Sequence, residues 1–594
     1  MATAAAALLP ALSSWYLAVN NTVTQPYLDE VFHVVQAQQY CAGRFHVWDP
    51  KITTPPGLYI LSIIPAFRVE WVQGRAGRWS LALLGCNLSG LRLVNAAGLL
   101  VILFLVWRIY RQRSSTLHDA VFQHSALNVA LFPPLFFFSA LYYTDIWSTA
   151  FVLLFYSCLL NAYREGANSF LRYITLVTVG SASLLFRQTN IFWVSILPAA
   201  VVFVHQLDRG HQAVRWSTNR QVEGFGGSFY SVAKTSWRFG VVFNLPIRSA
   251  KLKGKPYHTL AHDPSFSHRG ADYFKTILSI GVCLARVLTE PKALVNLVMA
   301  LSPFIALLSL FTAFVLSNGG VVLGDKSNHV ATLHVPQMLY IWPFLAFFSW
   351  PIIYQYLALL PFSVLARLGT YGSLETMQIF RRRALLPKLS VIIVAVGLAC
   401  AVVYANTIVH PFTLADNRHY VFYVFRYLLK PWWVRYAVAP VYFGTAWAAI
   451  QNLGGGAPAP SAQRPRADGL ADRLPVPDGQ HSATTAFAII WLATSALSLI
   501  TAPLVEPRYF ILPWIFWRLH VPILSPSGAM WQGPSQTSAG SAKTRGASSW
   551  LQHDHRLWIE TAWLLVVNVT TAYMFLHCGF EWKQEPGKVQ RFMW

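Results

Sequence analysis

Residues 389–408 read LSVIIVAVGLACAVVYANTI, twenty residues without a formal charge. A helix rises about 1.5 Å per residue, so this run crosses about 30 Å, the apolar thickness of a bilayer. Its flanks give it a direction. Arg381, Arg382, Arg383 and Lys388 precede it, and Asp416, Arg418 and His419 follow it. Lys and Arg collect in cytosolic loops, so the run reads as a membrane helix that starts at the cytosolic face.

Working outward from it, comparable stretches fall at 4–19 and near 91–107, 124–141, 146–163, 171–186, 190–205, 293–316, 337–357, 433–450, 484–500, 509–524 and 557–576. They predict an all-α polytopic membrane protein with about thirteen transmembrane helices. The first stretch has no basic segment before it and no clear small-residue cleavage site after it. It is expected to be a retained helix rather than a signal peptide. The run 57–67 is too short to span and reads as re-entrant or interfacial.

Composition agrees. Charged residues make up 12% of the 594, about half the ~25% of soluble domains. They are too few to coat several soluble domains, and 15% aromatics excludes disorder. Lys plus Arg is 46 against 23 Asp plus Glu, a net charge of +23. The basic clusters lie between apolar spans, so this excess is a topology signal, and no nucleic-acid partner is expected. The six cysteines show no metal-ligand spacing. Cys41 and Cys86 fall in one compartment without their pairing being readable. No P-loop, GxGxxG unit or HExxH is present, and no cofactor or metal is expected.

With the first helix starting in the cytosol, residues 206–290 and the Gly-, Pro- and Ser-rich stretches 451–483 and 525–556 become cytosolic loops, the last two flexible. The opposite face then receives 20–90, Tyr142-Tyr143-Thr144-Asp145, Arg187-Gln188-Thr189-Asn190, Gly324-Asp325-Lys326-Ser327-Asn328-His329, Leu414-Ala415-Asp416-Asn417-Arg418-His419-Tyr420 and Glu506-Pro507-Arg508-Tyr509. Acids, arginines and histidines gather there, as at a site built across helix mouths. Sequons Asn20-Asn21-Thr22 and Asn87-Leu88-Ser89 fall on the same face. The whole chain, 1–594, reads as one membrane domain.

Asp29 and Glu30 follow the first span directly, and either can serve as general base on a sugar hydroxyl. A lipid-phosphate donor needs cations at its leaving group, and Arg187, Arg418, Arg508 and Lys326 are the candidates. His33, Asp145, Asp325, His329, Asp416 and His419 are candidates for orienting sugars. Each has a plainer reading: helix-end charge for the acids, ion pairs or snorkelling anchors for the arginines. A transporter or a membrane regulator is the alternative of a different class. A transporter predicts charges deep in spans and internal repeats, whereas the charges lie mainly at one face and no repeat is evident.

These residues also carry a resemblance. Asp29-Glu30-Val31-Phe32-His33, Trp48-Asp49-Pro50-Lys51-Ile52-Thr53-Thr54 with Pro56-Gly57-Leu58-Tyr59, 141–145, 186–190, 324–329, 414–420, 508–513 and Gln590-Arg591-Phe592-Met593-Trp594 resemble the dolichyl-phosphate-glucose-dependent alpha-1,2-glucosyltransferases. The family normally has Leu-Glu-Phe-Arg-Tyr or similar before its last spans, and here the run is Val505-Glu506-Pro507-Arg508-Tyr509. The resemblance implies a GT-C fold in the endoplasmic reticulum membrane with a luminal active site. It implies a dolichyl phosphate glucose donor and a dolichyl-pyrophosphate-linked oligosaccharide acceptor. It also implies inversion at the transferred sugar, with Asp29 or Glu30 as base. Another dolichyl-phosphate-sugar transferase is the alternative within the class.

Overall fold

The structure is a computed structural model. It describes residues 1–63, 85–114, 118–164, 169–218, 225, 227–245, 247, 270–326, 332–367, 389–408, 411–454, 483–502, 504–523, 554–583 and 585–594. Among these, helices dominate, and the named strands are two short segments, Phe580–Glu581 and Val589–Gln590, paired antiparallel. Among the described residues, seven helices are long and apolar enough to cross a membrane: Ala2–Thr22, Leu88–Arg113, Asp145–Tyr163, Gln188–Asp208, Pro291–Asn318, Leu389–Asn406 and His555–His577. Phe170–Leu184 and Thr485–Leu499 are shorter apolar helices. Gln337–Arg367 is longer but bends at Ser349, whose φ of −120° and ψ of 15° leave the helical region.

Two expected spans are broken. The 124–141 stretch forms Asp119–Ala130 and Pro133–Phe138. Pro133 and Pro134 lack N–H donors and fit only a helix's first turn, so they start a new helix there. The 433–450 stretch divides into Val434–Ala437 and Ala439–Leu453, the second with proline in its first turn. The expected loop 206–290 holds helices Phe229–Phe239 and Gly270–Leu288. Residues 57–63 are helical. The Gly57 N–H donates to Leu185 O at 2.8 Å, and a Cβ on Gly57 would lie 2.5 Å from that oxygen, so only glycine permits the approach. Residues 64–67, most of 451–483 and most of 525–556 lie outside the described residues.

The helix ends sort into two groups. At one end, Gln188 Nε2 donates to Thr53 O at 2.7 Å. The N–H groups of Leu323 and Asp325 reach Thr53 O and Pro50 O at 3.1 and 2.7 Å. Loop 49–53 thus gathers segments from distant parts of the sequence. At the other end, buried Arg518 pairs with Glu560 at 2.7 Å and Arg556 with Asp554 at 2.8 Å, while Arg113 donates to Leu519 O. The main core between the two ends is rich in aromatics, including Phe132 stacked on Trp514 at 3.9 Å.

Candidate active site

The site starts from a strained turn. Leu28 has a φ of +51°, a left-handed conformation that costs a non-glycine residue about 1–2 kcal/mol. The turn delivers two adjacent acids to different surroundings. Glu30 is the first residue of helix Glu30–Cys41 and is completely buried. Its carboxylate accepts from Arg92 Nε at 2.9 Å and Arg92 Nη2 at 2.6 Å. It also accepts from the N–H groups of Tyr27 at 3.0 Å and Tyr142 at 2.7 Å. Arg92 is equally buried and also donates to Val23 O at 2.7 Å. A carboxylate with two guanidinium and two backbone donors is saturated. It clamps the entry loop to helix Leu88–Arg113 and to the turn at 142.

Asp29 has no such partners. It makes no capping bond to the helix that follows, and its side chain is 43% exposed. Oδ2 accepts from Arg508 Nη1 at 2.8 Å, and its N–H donates to Tyr143 Oη at 3.2 Å. Arg508 also pairs with Glu506 and lies over the Tyr143 ring. Burial pushes the Asp29 carboxyl up, but Arg508 and then His33 outweigh it and hold it below its ordinary value. Glu506 is likewise raised by burial and brought below its usual range by Arg508. Burial lowers His33 to about 4 against the pull of Asp29, so its imidazole is neutral at neutral pH. Its Nδ1 lies 2.6 Å from Tyr59 Oη.

Asp29, Asp416, Arg418, His419, Glu506 and Arg508 line one cavity of about 310 Å³, with Phe138, Tyr143, Phe422 and Trp594 among its apolar walls. That is the low end of small-ligand pockets, ~300–1,000 Å³. Arg418 holds Asp416 by its fork, Nε to Oδ1 at 2.9 Å and Nη2 to Oδ2 at 2.7 Å. It also donates to Gln590 Oε1 at 2.9 Å and lies 4.4 Å from the Trp582 ring centroid. Burial raises the Asp416 carboxyl, and the hydrogen bonds from Arg418 outweigh it and bring it below its ordinary value. His419 Nε2 stands 3.8 Å from Asp416.

The final residues complete the wall. The Met593 N–H donates to Arg418 O at 2.9 Å, and the Tyr420 N–H to Met593 O at 3.1 Å. The Tyr27 hydroxyl brackets Arg591, donating to its O and accepting from its N–H, both at 2.7 Å. The loops carrying Asp29 and Arg418 therefore meet through this segment.

Of the other candidates, Arg187, Asp145, Asp325 and Lys326 are not among the residues that line the cavity. Arg187 pairs with buried Asp145 at 3.0 Å and lies 6.0 Å from the Tyr509 ring centroid; both Arg187 and Asp145 act electrostatically on His33. Asp325 is exposed beside loop 49–53, and Lys326 is exposed and donates to Asn318 O. Neither lines the cavity. His329 lies outside the described residues. Among the described residues, no cluster of three or more His, Cys, Asp or Glu side chains suits a metal ion.

Sequence reasoning missed Arg92 and Asn95, both fully buried. Asn95 Nδ2 donates to Leu141 O and Tyr143 O at 2.7 Å each and so fixes the turn that holds Tyr143. The signal was available: polar residues three apart inside an apolar span cost too much to lie idle. Cys41 and Cys86 form a disulfide, which ties helix Glu30–Cys41 to the start of helix Leu88–Arg113.

The model of the DIE2/ALG10 family matches residues 23–519. The chain is 36% identical to a protein of Aspergillus fumigatus over 98% of this chain and 96% of that one. It is 37% identical to one of Emericella nidulans, with the same coverage, and 29% identical to one of Mus musculus over 98% and 95%. Each of the three is named a Dol-P-Glc:Glc(2)Man(9)GlcNAc(2)-PP-Dol alpha-1,2-glucosyltransferase. No solved structure matches the chain.

Proposed function

The chain belongs to the DIE2/ALG10 family, and from that premise we propose that it transfers glucose from dolichyl phosphate β-glucose to the diglucosylated oligosaccharide Glc2Man9GlcNAc2 on dolichyl pyrophosphate. The product is the terminal α-1,2-linked glucose. Full-length similarity to relatives of that name supports the reaction. The observation that carries the mechanism is the half-exposed, ionised Asp29 in a cavity shared with Arg508 and Arg418.

The 2-hydroxyl oxygen of the acceptor glucose attacks the donor's anomeric carbon opposite the phosphate. Asp29 takes the hydroxyl proton as the new C–O bond forms. The bond between that carbon and the phosphate oxygen breaks, and its electron pair leaves with dolichyl phosphate. One displacement turns the β linkage into α, so no covalent glycosyl-enzyme is formed. The phosphate goes from one negative charge to two, and the guanidinium charges of Arg508 and Arg418 in the cavity wall offset part of the added charge. The low carboxyl pKa keeps Asp29 in its proton-accepting form at neutral pH. Arg187, paired with Asp145, lies by the Tyr509 ring, and Glu30 acts as a clamp rather than as the base.

The protein is read as a single GT-C domain of the endoplasmic reticulum membrane whose site faces the lumen. The disulfide on the site's side of the bundle supports an oxidising compartment. The test is lipid-linked oligosaccharide analysis in cells lacking the protein. They should accumulate the glycan missing only its terminal glucose. The intact protein should restore the full glycan, and Asp29→Asn should lose about 10²–10⁴-fold in transfer rate. An unchanged glycan profile in the deficient cells would overturn the reaction, and normal turnover by Asp29→Asn would overturn the base.

A further inference from the structure

The helix Phe229–Phe239 wears its aromatic residues on the outside. Tyr230 is 76% exposed and Trp237 51%, and Lys234 and Arg238 are exposed with them. Its buried face is small: Val232 is enclosed, and Ser236 Oγ meets Ser279 Oγ of helix Gly270–Leu288 at 2.7 Å. A helix lying in water would put Tyr and Trp inward. One that shows aromatics interleaved with Lys and Arg matches a helix lying in a membrane interface.

Two spans fix the membrane face to which it belongs. Gln188–Asp208 starts at the site end, where Gln188 reaches Thr53, so Asp208 is at the far end. Asp208 Oδ1 accepts from the Val242 N–H at 2.9 Å, just beyond the helix. Pro291–Asn318 finishes at the site end, where Leu323 reaches Thr53, so Lys292 is also at the far end. Between these markers, Arg286 donates through Nη1 to Trp237 O at 3.1 Å and through Nε to Glu290 at 3.3 Å. Glu290 directly precedes the span. Trp237 therefore sits at the depth where a membrane helix begins, which is headgroup depth. Lys234 and Arg238 of this helix and Lys292 at the start of the span share that face with Arg286, which pairs with Glu290, and with Asp208.

We propose that helix Phe229–Phe239 is an anionic-phospholipid binding surface on the membrane face opposite the catalytic cavity. Lys234 and Arg238, with Arg286 and Lys292 beside them, hold the headgroup phosphates, while Tyr230 and Trp237 seat among the upper acyl carbons. The occupant is lipid rather than protein because the charge is cationic and the surface is continuous with the bilayer boundary.

Hydrogen exchange read by mass spectrometry tests this on the full chain in nanodiscs of phosphatidylcholine, with or without phosphatidylserine. The amides of 229–239 should exchange more slowly in the anionic discs, and added salt should erase the difference, since charge interactions at a surface are screened over about 10 Å at 0.1 M. Lys234→Gln and Arg238→Gln should each lower phosphatidylserine occupancy about fivefold, the fold-change equivalent of the about 1 kcal/mol that a surface cation contributes at an anionic leaflet. Glucosyl transfer should be unchanged in both variants, which shows that they fold. Equal exchange in the two discs, or variants that keep the full difference, would overturn the proposal and leave the cations as topology markers only.

Discussion

Asp29 and Glu30 are neighbours in sequence with opposite fates. Four donors hold the Glu30 carboxylate in a dry site, whereas Asp29 faces the cavity with Arg508 beside it. Glu30→Gln strands the buried Arg92 guanidinium. Breaking a buried pair costs about 3–5 kcal/mol, so a large fall in the melting temperature in detergent is expected. A variant that melts like the parent and loses only turnover would refute the clamp. His33 gives a pH signature. Its pKa is about 4 folded and ~6.5 unfolded, so the unfolded chain binds more protons between those values. Its contribution to stability is complete above pH ~6.5 and falls away as pH drops towards 4. Asp29, Asp416 and Glu506, with depressed carboxyls, lose theirs only at lower pH, below the ordinary carboxylate range. In a melting series against pH, His33→Gln should flatten the slope between pH 6.5 and 4. An unaltered slope would show that His33 is not its source.

Among the elements, the segment around 590–594 matters beyond its size. It bonds to the Arg418 loop through backbone groups and to Tyr27 through one hydroxyl. Tyr27→Phe removes both Tyr27 bonds while keeping the ring against Phe575. At about 1 kcal/mol per hydrogen bond, kcat/KM should fall about 5–30-fold with little change in the fold. Normal kinetics would mean that the segment holds its place without the latch. The resemblance had marked these residues as a motif, yet nothing in their spacing revealed that they wall the cavity. The proline pair at 133–134 is the reverse case. Apolarity suggested a continuous span, while the missing N–H donors required a break that the sequence already contained.

For the whole molecule, the disulfide between Cys41 and Cys86 closes a loop of 45 residues in sequence separation. Loop-closure entropy for that length amounts to about 4 kcal/mol. Cys41→Ser or a reductant should lower thermal stability by that order, with the Asp29-bearing loop losing hydrogen-exchange protection first. Protection unchanged on reduction would show that the Glu30–Arg92 clamp alone fixes the loop.

What the sequence determined by itself was the solvent, and it set an expectation of sidedness. Apolar runs such as 389–408 have to leave water, which follows from local composition alone, and clustered Lys and Arg set the expected sidedness. It also pointed to the opposite face, where scarce acids meet arginines, as the expected place of the chemistry. Which of those residues share a cavity was decided only by the tertiary structure. Asp29 and Arg508 lie 479 positions apart, and Tyr27 and Arg591 lie 564 apart. Asp29, Arg418 and Arg508 were brought together, while Lys326 and Asp325 were left beside another loop. An ion pair depends on a separation of a few ångströms, and no local pattern encodes that distance when helix packing sets it.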